Sequence, residues 1–556
     1  MTGFAGGCAR LKAQGTARRG KDIYMLYDDR FLDWISVLTP NDARRTEQKA
    51  FEMGVPSLLL MEHAAIAVVD ELEKALGGEC RGKSVLFLCG TGNNGGDGLA
   101  AARLFKMRGG WPEVWLAGPP RTPDAKTQLQ WAENVGIPVI DLSRAAPEDY
   151  PLDGEMPRET YDAYVDAVFG TGFRGEPDGI AYRMIMAPRH ARREKPVIAV
   201  DIPSGIDGKT GGTSGVFMYA DVTVTFNTPK PGLYLTRERE AVGRIVIADI
   251  GLWDMMPWNG DALLLERSEL NCRMPTPGSL RLMGGRSLNA HKGDCGRVLI
   301  YAGKTGMAGA AAMCAKAAVT AGAGLTTVAC EKEIIPILQS LVPNAMCREI
   351  TEAAGDPPAY DVFAVGCGLG QSEKVWENIL KLWDPDKISV WDADALNLLA
   401  RHEMKLGKNA VITPHPGEAA RLLGWRMEKI MADRFAAAQA LAEKYGCTAV
   451  LKSDVTVICT LGEKGPEFML NPVGSPALAK GGSGDALTGI MAVRLHEEGI
   501  CLDAAAGACL WHGMAGLIGE EKYGQRELTT DQLIGCLHEA ERWGRGERKA
   551  PAGYRG

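Results

Sequence analysis

The run Ser84-Val85-Leu86-Phe87-Leu88-Cys89-Gly90-Thr91-Gly92-Asn93-Asn94-Gly95-Gly96-Asp97-Gly98 decides the fold of the first half of the chain. An apolar strand, Ser84–Cys89, breaks into a glycine-dense loop and then into a helical stretch, Gly98–Arg108. Glycines let backbone N–H groups approach a ligand closely, and a helix start adds a partial positive charge. The same alternation continues outward. Strands are expected at Val197–Asp201, Asp221–Phe226, Arg297–Tyr301, Asp361–Val365, Ser389–Trp391 and Ala410–Ile412. Helices are expected at Pro56–Leu76, Gly309–Ala321, Pro416–Leu423 and Ala432–Tyr445. Strands alternating with longer amphipathic stretches predict an α/β protein, with parallel sheets covered by helices on both faces. Ligands then sit beyond the carboxyl ends of the strands.

A chain of 556 residues is too long for one core. Between about Leu265 and Leu288 the run Met274-Pro275-Thr276-Pro277-Gly278 interrupts the periodicity and marks a boundary. The expected division is an N-terminal domain over 26–265, a linker over 266–287 and a C-terminal domain over 288–545. Residues 1–25, basic and Gly/Ala-rich, are read as a disordered extension, or as the product of an upstream start codon with Met25 nearer the true start; 546–556 are read as a disordered tail. A net charge of -7 argues against nucleic acid or an anionic membrane as the main partner. The 14 cysteines are scattered without a C-x-x-C pair, as in a reducing compartment. No apolar run reaches the length of a membrane span. A cytoplasmic, homo-oligomeric protein is expected.

Two further strand ends accompany the first. Ala163–Val168 carries Asp166-Ala167-Val168-Phe169-Gly170-Thr171-Gly172, and Val197–Val200 runs into Asp201-Ile202-Pro203-Ser204-Gly205. In a parallel sheet these loops converge on one edge. Their oxygens, from Asn94, Asp166 and Ser204 with Asp97 and Asp201 nearby, are hard ligands suited to an alkali or alkaline-earth cation. Taken together, the motifs resemble NAD(P)H-hydrate epimerase, over roughly Val37 to Asp249. The resemblance implies a Rossmann-like α/β/α sandwich and a potassium ion at Asn94, Asp166 and Ser204. It implies contacts to a hydrated nicotinamide cofactor from Asn93, Asn94, Gly95, Gly96 and Asp97, from Gly170, Thr171, Gly172, Phe173, Arg174, Gly175 and Glu176, and from Asp201, the candidate acid/base. Where the family has Glu-Asn-Ala-Gly, this chain has Glu62-His63-Ala64-Ala65. His63 is left open between a replacement donor and a plain helix residue.

The strongest signal of the second half is Lys480-Gly481-Gly482-Ser483-Gly484-Asp485-Ala486-Leu487-Thr488-Gly489. Clustered glycines at a helix start form an anion hole, and Asp485 in the first turn could take a proton from a hydroxyl beside the bound phosphate. His415, between Pro414 and Pro416 at a strand end, is expected to contact the ligand. Asp392 and Asp394 could hold Mg²⁺, or Asp394 could cap the following helix. These runs, with His291-Lys292-Gly293-Asp294 and Gly322-Ala323-Gly324-Leu325, resemble the ADP/ATP-dependent NAD(P)H-hydrate dehydratases of the ribokinase-like superfamily, from about Leu288 to Trp543. The resemblance implies a second three-layer α/β/α domain. It implies substrate contacts at Ala310, Gly368, His415 and Asp485, and nucleotide contacts at Lys452, Ser453, Asp454, Val455, Thr456 and Gly484. ADP is the implied phosphoryl donor.

Three departures stand out. The family's Lys-Gly-Ala-Gly-Thr is Lys452-Ser453-Asp454-Val455-Thr456 here, Cys367 replaces a proline in Gly366-Cys367-Gly368-Leu369-Gly370, and Gly474-Ser475 replaces Gly-Asn. Asp454 is expected to repel phosphate by on the order of 1 kcal/mol or more unless Mg²⁺ or Lys452 offsets it. The implied function is repair of hydrated NADH or NADPH by epimerisation and nucleotide-dependent dehydration. The rival reading is a ribokinase-like small-molecule kinase with a non-catalytic N-terminal binding module.

Overall fold

In a computed structural model, which describes residues 34–144, 161–173, 175–189, 194–213, 215–252, 268–282, 287–551 and 554, Ser84–Cys89 lies inside a seven-stranded sheet. Across it run Val139–Asp141, Trp111–Leu116, Ser84–Cys89, Ala163–Ala167, Val197–Val200, Val222–Phe226 and Arg244–Ala248, all parallel. The chain builds outward from Ser84–Cys89, then returns to its other side with Ala163–Ala167. The strand order reverses between these two strands, and the crevice at such a switch point is where open α/β sheets bind ligands. Alternate residues serve opposite faces: Val85, Phe87 and Cys89 enter one core, Leu86 and Leu88 another. Each such side chain stabilises the fold by about 1.5–3 kcal/mol relative to exposure.

The helix after Ser84–Cys89 starts earlier than its sequence pattern predicts. It spans Asn93–Met107, so the Asn-Asn-Gly-Gly-Asp-Gly run forms its first turns. The glycines let it lie directly on the sheet. A Cβ on Gly98 would stand 2.5 Å from Ala167 Cβ, and one on Gly95 1.9 Å from the Gly90 carbonyl oxygen.

The second sheet has eleven strands, in the order Trp34–Val37, Cys272–Pro275, Gly465–Asn471, Thr456–Gly462, Thr448–Leu451, Ala410–Ile412, Ile388–Trp391, Val362–Val365, Arg297–Tyr301, Leu325–Cys330 and Met346–Glu349. From Thr448–Leu451 to Met346–Glu349 all are parallel. Here the order reverses between Arg297–Tyr301 and Val362–Val365. Helices Ala308–Ala321 and Ser483–Glu498 cover one face and pack closely. A Cβ on Gly489 would sit 2.2 Å from the Cys314 carbonyl oxygen.

The domain boundary differs from the sequence reading. Cys272–Pro275, inside the expected linker, is a strand paired with Gly465–Asn471. Trp34–Val37, assigned by sequence to the first domain, pairs with it antiparallel. Both complete the edge of the larger sheet, whose backbone N–H and C=O groups need partners. Two prolines hid the strand, since proline donates no ladder hydrogen bond and survives only near an edge. One core of the larger sheet also takes in Ile202, Ile206, Leu233, Tyr234 and Leu235 from the first half, so the two sheets are packed together. The expected helix Ala432–Tyr445 is two, Met427–Ala432 and Arg434–Tyr445, parted at Asp433, whose side chain accepts from Ala436 N–H.

Residues 1–25 and Arg174 lie outside the described residues, as do 253–267 and 283–286 around the boundary. Every cysteine among the described residues is free. No described helix is long and apolar enough to cross a membrane.

Candidate functional sites

The first site sits at the switch point of the seven-stranded sheet. Asp166, fully buried near the end of Ala163–Ala167, accepts from the Ser204 hydroxyl at 2.6 Å, from Ser204 N–H at 2.8 Å and from Val168 N–H at 3.3 Å. The Ser204 hydroxyl in turn accepts from Phe169 N–H at 2.9 Å. Asn94 Oδ1 lies 2.8 Å from where a Gly170 Cβ would stand, and its buried Nδ2 has no partner among the described residues. Asn94, Asp166 and Ser204 thus gather around the three loops that the sequence motifs nominate. Burial holds Asp166 at about 6 despite those hydrogen bonds.

Beyond this cluster, Gly170, Thr171, Gly172, Phe173, Gly175 and Glu176 form an open loop in which Phe173 stacks on Phe169 with centroids 4.1 Å apart. Gly95 and Gly96 are buried under the helix start, with Asn93 exposed and Asp97 half-buried. Burial pushes Asp97 well above the usual carboxylate range, and Asp201 and Glu47 push it further. Asp201, after Val197–Val200, is buried with φ 66°. A non-glycine residue in this region costs of order 1 kcal/mol and is a mark of functional sites. Its Oδ1 accepts from Lys230 Nζ at 2.8 Å. Lys230 and Glu47 escaped the sequence reading. For Lys230 a signal existed: Asn227-Thr228-Pro229-Lys230-Pro231 follows a strand, a lysine pinned between prolines as His415 is. His63 Nδ1 lies 2.9 Å from the Ile250 carbonyl oxygen.

The second site lies beyond the parallel strands of the larger sheet. Gly482, with φ 91°, caps the helix Ser483–Glu498 and turns its first N–H groups outward. Cys367 Sγ and one carboxylate oxygen each of Asp392 and Asp485 lie within 4.8 Å of one another. Asp392, buried at the end of Ile388–Trp391, accepts from Lys452 Nζ at 2.7 Å and from the Thr488 hydroxyl at 2.8 Å. Gly484 leaves the space beside them clear: a Cβ there would be 3.5 Å from Lys452 Nζ. Burial raises Asp485 to about 6, with Cys367 donating a hydrogen bond and Lys452 pulling down while Asp392 pushes up. That value suits a base working near neutral pH. Buried His512, held neutral with its pKa lowered to about 4 by burial, lies 3.2 Å from the Ser483 hydroxyl and orients the helix start. Nothing in the sequence marks it, a lone histidine inside a long helix.

Other expected residues fall nearby. Gly368 and Ala310 abut, a Gly368 Cβ lying 2.9 Å from Ala310 Cβ. Lys452 N–H donates to the Pro414 carbonyl at 2.9 Å, joining the Lys452–Thr456 loop to the His415 loop. His415 caps its own helix: Nδ1 accepts from Gly417 N–H at 3.0 Å, and the half-exposed ring keeps Nε2 near Glu418. Asp394 is neither a free metal ligand nor a cap. Its oxygens accept from Gly370 N–H at 2.8 Å and Gln371 Nε2 at 2.9 Å, which shapes the glycine loop. Asp454 also departs from expectation. Its carboxylate takes the Ser453 hydroxyl at 2.8 Å and the buried guanidinium of Arg434 at 2.7 Å, so neither Mg²⁺ nor Lys452 is needed to offset it. Val455 is buried and Thr456 opens the next strand.

Two switch-point crevices, one ringed by hard oxygens and one with a carboxylate at a glycine-lined helix start, define an α/β enzyme with two separate ligand sites. Residues 57–232 match the family described as YjeF-related protein N-terminus, and 298–538 the family described as NAD(P)H-hydrate dehydratase. The bifunctional NAD(P)H-hydrate repair enzyme of Moorella thermoacetica is 35% identical over 87% of this chain and 92% of its own. That of Escherichia coli is 35% identical over 89% and 92%, and that of Leishmania major 34% over 85% and 88%. Among solved structures, a Bacillus subtilis ADP/ATP-dependent NAD(P)H-hydrate dehydratase is 29% identical with a TM-score of 0.44, covering 49% of this chain and 97% of that one. The chain belongs to the family of bifunctional NAD(P)H-hydrate repair enzymes. It joins an epimerase half to a dehydratase half, and the kinase reading of the second half falls away.

Proposed function

We propose that the dehydratase half uses ADP to phosphorylate the hydroxyl of the S hydrate, with Asp485 as the base. The carrying observation is the placement of Asp485 between the Gly481–Gly484 helix start and the Lys452–Asp392–Thr488 network. Asp485 takes the hydroxyl proton as the oxygen attacks the terminal phosphorus, and AMP leaves. The helix N–H groups and Lys452 hold the moving phosphoryl group. Hydroxide is a poor leaving group and phosphate a good one, so loss of phosphate and of a neighbouring ring proton restores the double bond. Ala310, Gly368 and His415 line the substrate side, and Ser453, Asp454, Val455, Thr456 and Gly484 the nucleotide side. Asp392 is the hard-oxygen group that would hold a magnesium ion, which supplies charge neutralisation on the phosphates. Supplying ADP and ATP separately with hydrated NADH, and following the return of reduced-nicotinamide absorbance, tests donor and reaction together.

In the epimerase half, Asp201 exchanges the proton that accompanies loss and re-formation of the hydroxyl-bearing centre. The Asn93–Asp97 turn and the Gly170–Glu176 loop bind the cofactor. Asn94, Asp166 and Ser204 fit a potassium ion: their donors are hard oxygens, and none of the groups bonded to buried Asp166 is a cation. Such an ion would supply a fixed positive charge there. Self-association is supported by exposed Met107, Trp111, Trp131 and Val135 at one end of the seven-stranded sheet. Light scattering of wild type and Trp111→Glu tests it.

A further inference from the structure

We propose that Lys230 is a positioning residue of the epimerase site, a buried cation that holds one oxygen of Asp201 in place and so aims the other at the ligand. This rests on the reading of Asp201 as the acid/base.

The argument is one of saturation. A lysine ammonium has three donors, and Lys230 Nζ meets three acceptors: Asp201 Oδ1 at 2.8 Å, the Thr225 hydroxyl at 3.1 Å and the Phe226 carbonyl at 3.1 Å. Lys230 is 3% exposed, so no donor is left for a substrate. The Thr225 hydroxyl also donates to Asp201 Oδ1 at 3.2 Å, closing a triangle. All of these bonds fall on Oδ1. Among the described residues Oδ2 takes none and is free to face the crevice.

The segment carrying Lys230 is itself tied down. Pro229 carbonyl accepts from Leu38 N–H, Asn227 Oδ1 accepts from Ile250 N–H, and Lys230 leads into the short helix Pro231–Leu235, packed in the core shared by both sheets. A cation held this way cannot follow a ligand, but it can fix the carboxylate it touches. The groups that face the pair are Glu47 from the helix Pro40–Glu52 and Asp97 from the helix Asn93–Met107, with Arg44 near Glu47 and Asp124 near Asp97. Burial raises Glu47 to about 7, Lys230 opposing and Asp201 adding to the rise, and Asp97 stands higher than the usual carboxylate range. Of three carboxyl groups around one crevice, only Asp201 bonds the ammonium. That contact sets Asp201 apart from its two neighbours by geometry.

The test follows conversion of purified R hydrate into S hydrate by the full chain, without nucleotide, across pH. Dehydration of S hydrate in the other half of the same molecule reports folding. Lys230→Met is expected to lower conversion by about a hundredfold and to move the acid limb of its kcat/KM profile upward by about one pH unit or more, with dehydration unchanged. Lys230→Arg is expected to keep the limb in place. Wild-type conversion by Lys230→Met, or a loss with the limb unmoved, overturns the inference. Loss of dehydration in Lys230→Met moves the decision to Lys230→Arg, where a displaced limb overturns it and an unmoved one supports it. Asp201→Asn separates the two readings: full conversion there removes the acid/base assignment itself.

Discussion

The guanidinium of Arg434 lies 2.7 Å from Asp454 Oδ1 and also donates to the Leu235 carbonyl, so one buried side chain clasps the proposed nucleotide loop, Lys452–Thr456, and the epimerase half together. Asp454 is about half-exposed, whereas Arg434 is 2% exposed. Removing the arginine therefore strands a carboxylate beside the nucleotide and a carbonyl in the interface. Arg434→Met is expected to destabilise the chain by about 1–3 kcal/mol in chemical denaturation, mainly through the buried Leu235 carbonyl left without its donor, since water screens the half-exposed Asp454. It is also expected to raise the KM for ADP about tenfold, on the order of 1.4 kcal/mol of restored repulsion. Asp454→Ala in the same background should recover the KM but not the stability. A KM that stays low in Arg434→Met would mean the carboxylate never faces phosphate.

Asp485 links activity to pH and to stability with opposite signs. Its carboxyl is held at about 6 against an ordinary 3.8, so the fold carries the cost of an ionised, buried acid. That cost is fully present above pH 6 and is relieved as pH falls through 6 toward 3.8, on the order of 2–3 kcal/mol. Asp485→Asn should therefore unfold at a higher temperature than wild type at pH 8, with the gap closing near pH 4. With Asp485 as the proposed base, dehydration needs the ionised form, so kcat/KM for S hydrate should fall about tenfold per pH unit below 6. Matched melting curves at pH 8 would count against the burial argument.

The cation cluster makes a separable claim. With potassium replaced by lithium or a bulky organic cation, R-to-S conversion is expected to fall while dehydration holds. Asp166→Asn should convert slowly in every salt, because the amide removes the charge that selects a cation. Equal stimulation by potassium in wild type and Asp166→Asn would contradict the assignment of Asn94, Asp166 and Ser204.

Close packing supplies a structural prediction. A Cβ on Gly489 meets the Cys314 carbonyl oxygen at 2.2 Å and Ala318 N at 2.9 Å, backbone atoms that cannot swing away. Gly489→Ala should destabilise by about 1–3 kcal/mol and lift the helix that presents Asp485. Denaturation midpoints and dehydration rates measured together check both.

The glycine loops were legible because their chemistry is local: the residues that bend the chain, cap the helix and face the ligand are neighbours in sequence. Asn94, Asp166 and Ser204 come from a helix start, a strand end and a loop far apart in sequence, yet alternating strands and helices place them on one edge. What stayed hidden depends on distant pairing. Arg434, at the start of a helix, meets Asp454 20 positions on, Lys230 reaches back 29 positions to Asp201, and Trp34–Val37 joins a sheet whose other strands lie far along the chain. Periodicity carries no trace of such partners. The early start of Asn93–Met107 was hidden for the opposite reason: glycines that allow a loop also allow a helix to touch a sheet.

The most direct measurement counts phosphate. Purified S hydrate of NADH, one equivalent of ADP and the full chain should give one inorganic phosphate and one AMP per reduced cofactor recovered, and Asp485→Asn should give neither product nor cofactor. Recovery of NADH by Asp485→Asn at the wild-type rate, or by wild type without release of phosphate, would contradict the account.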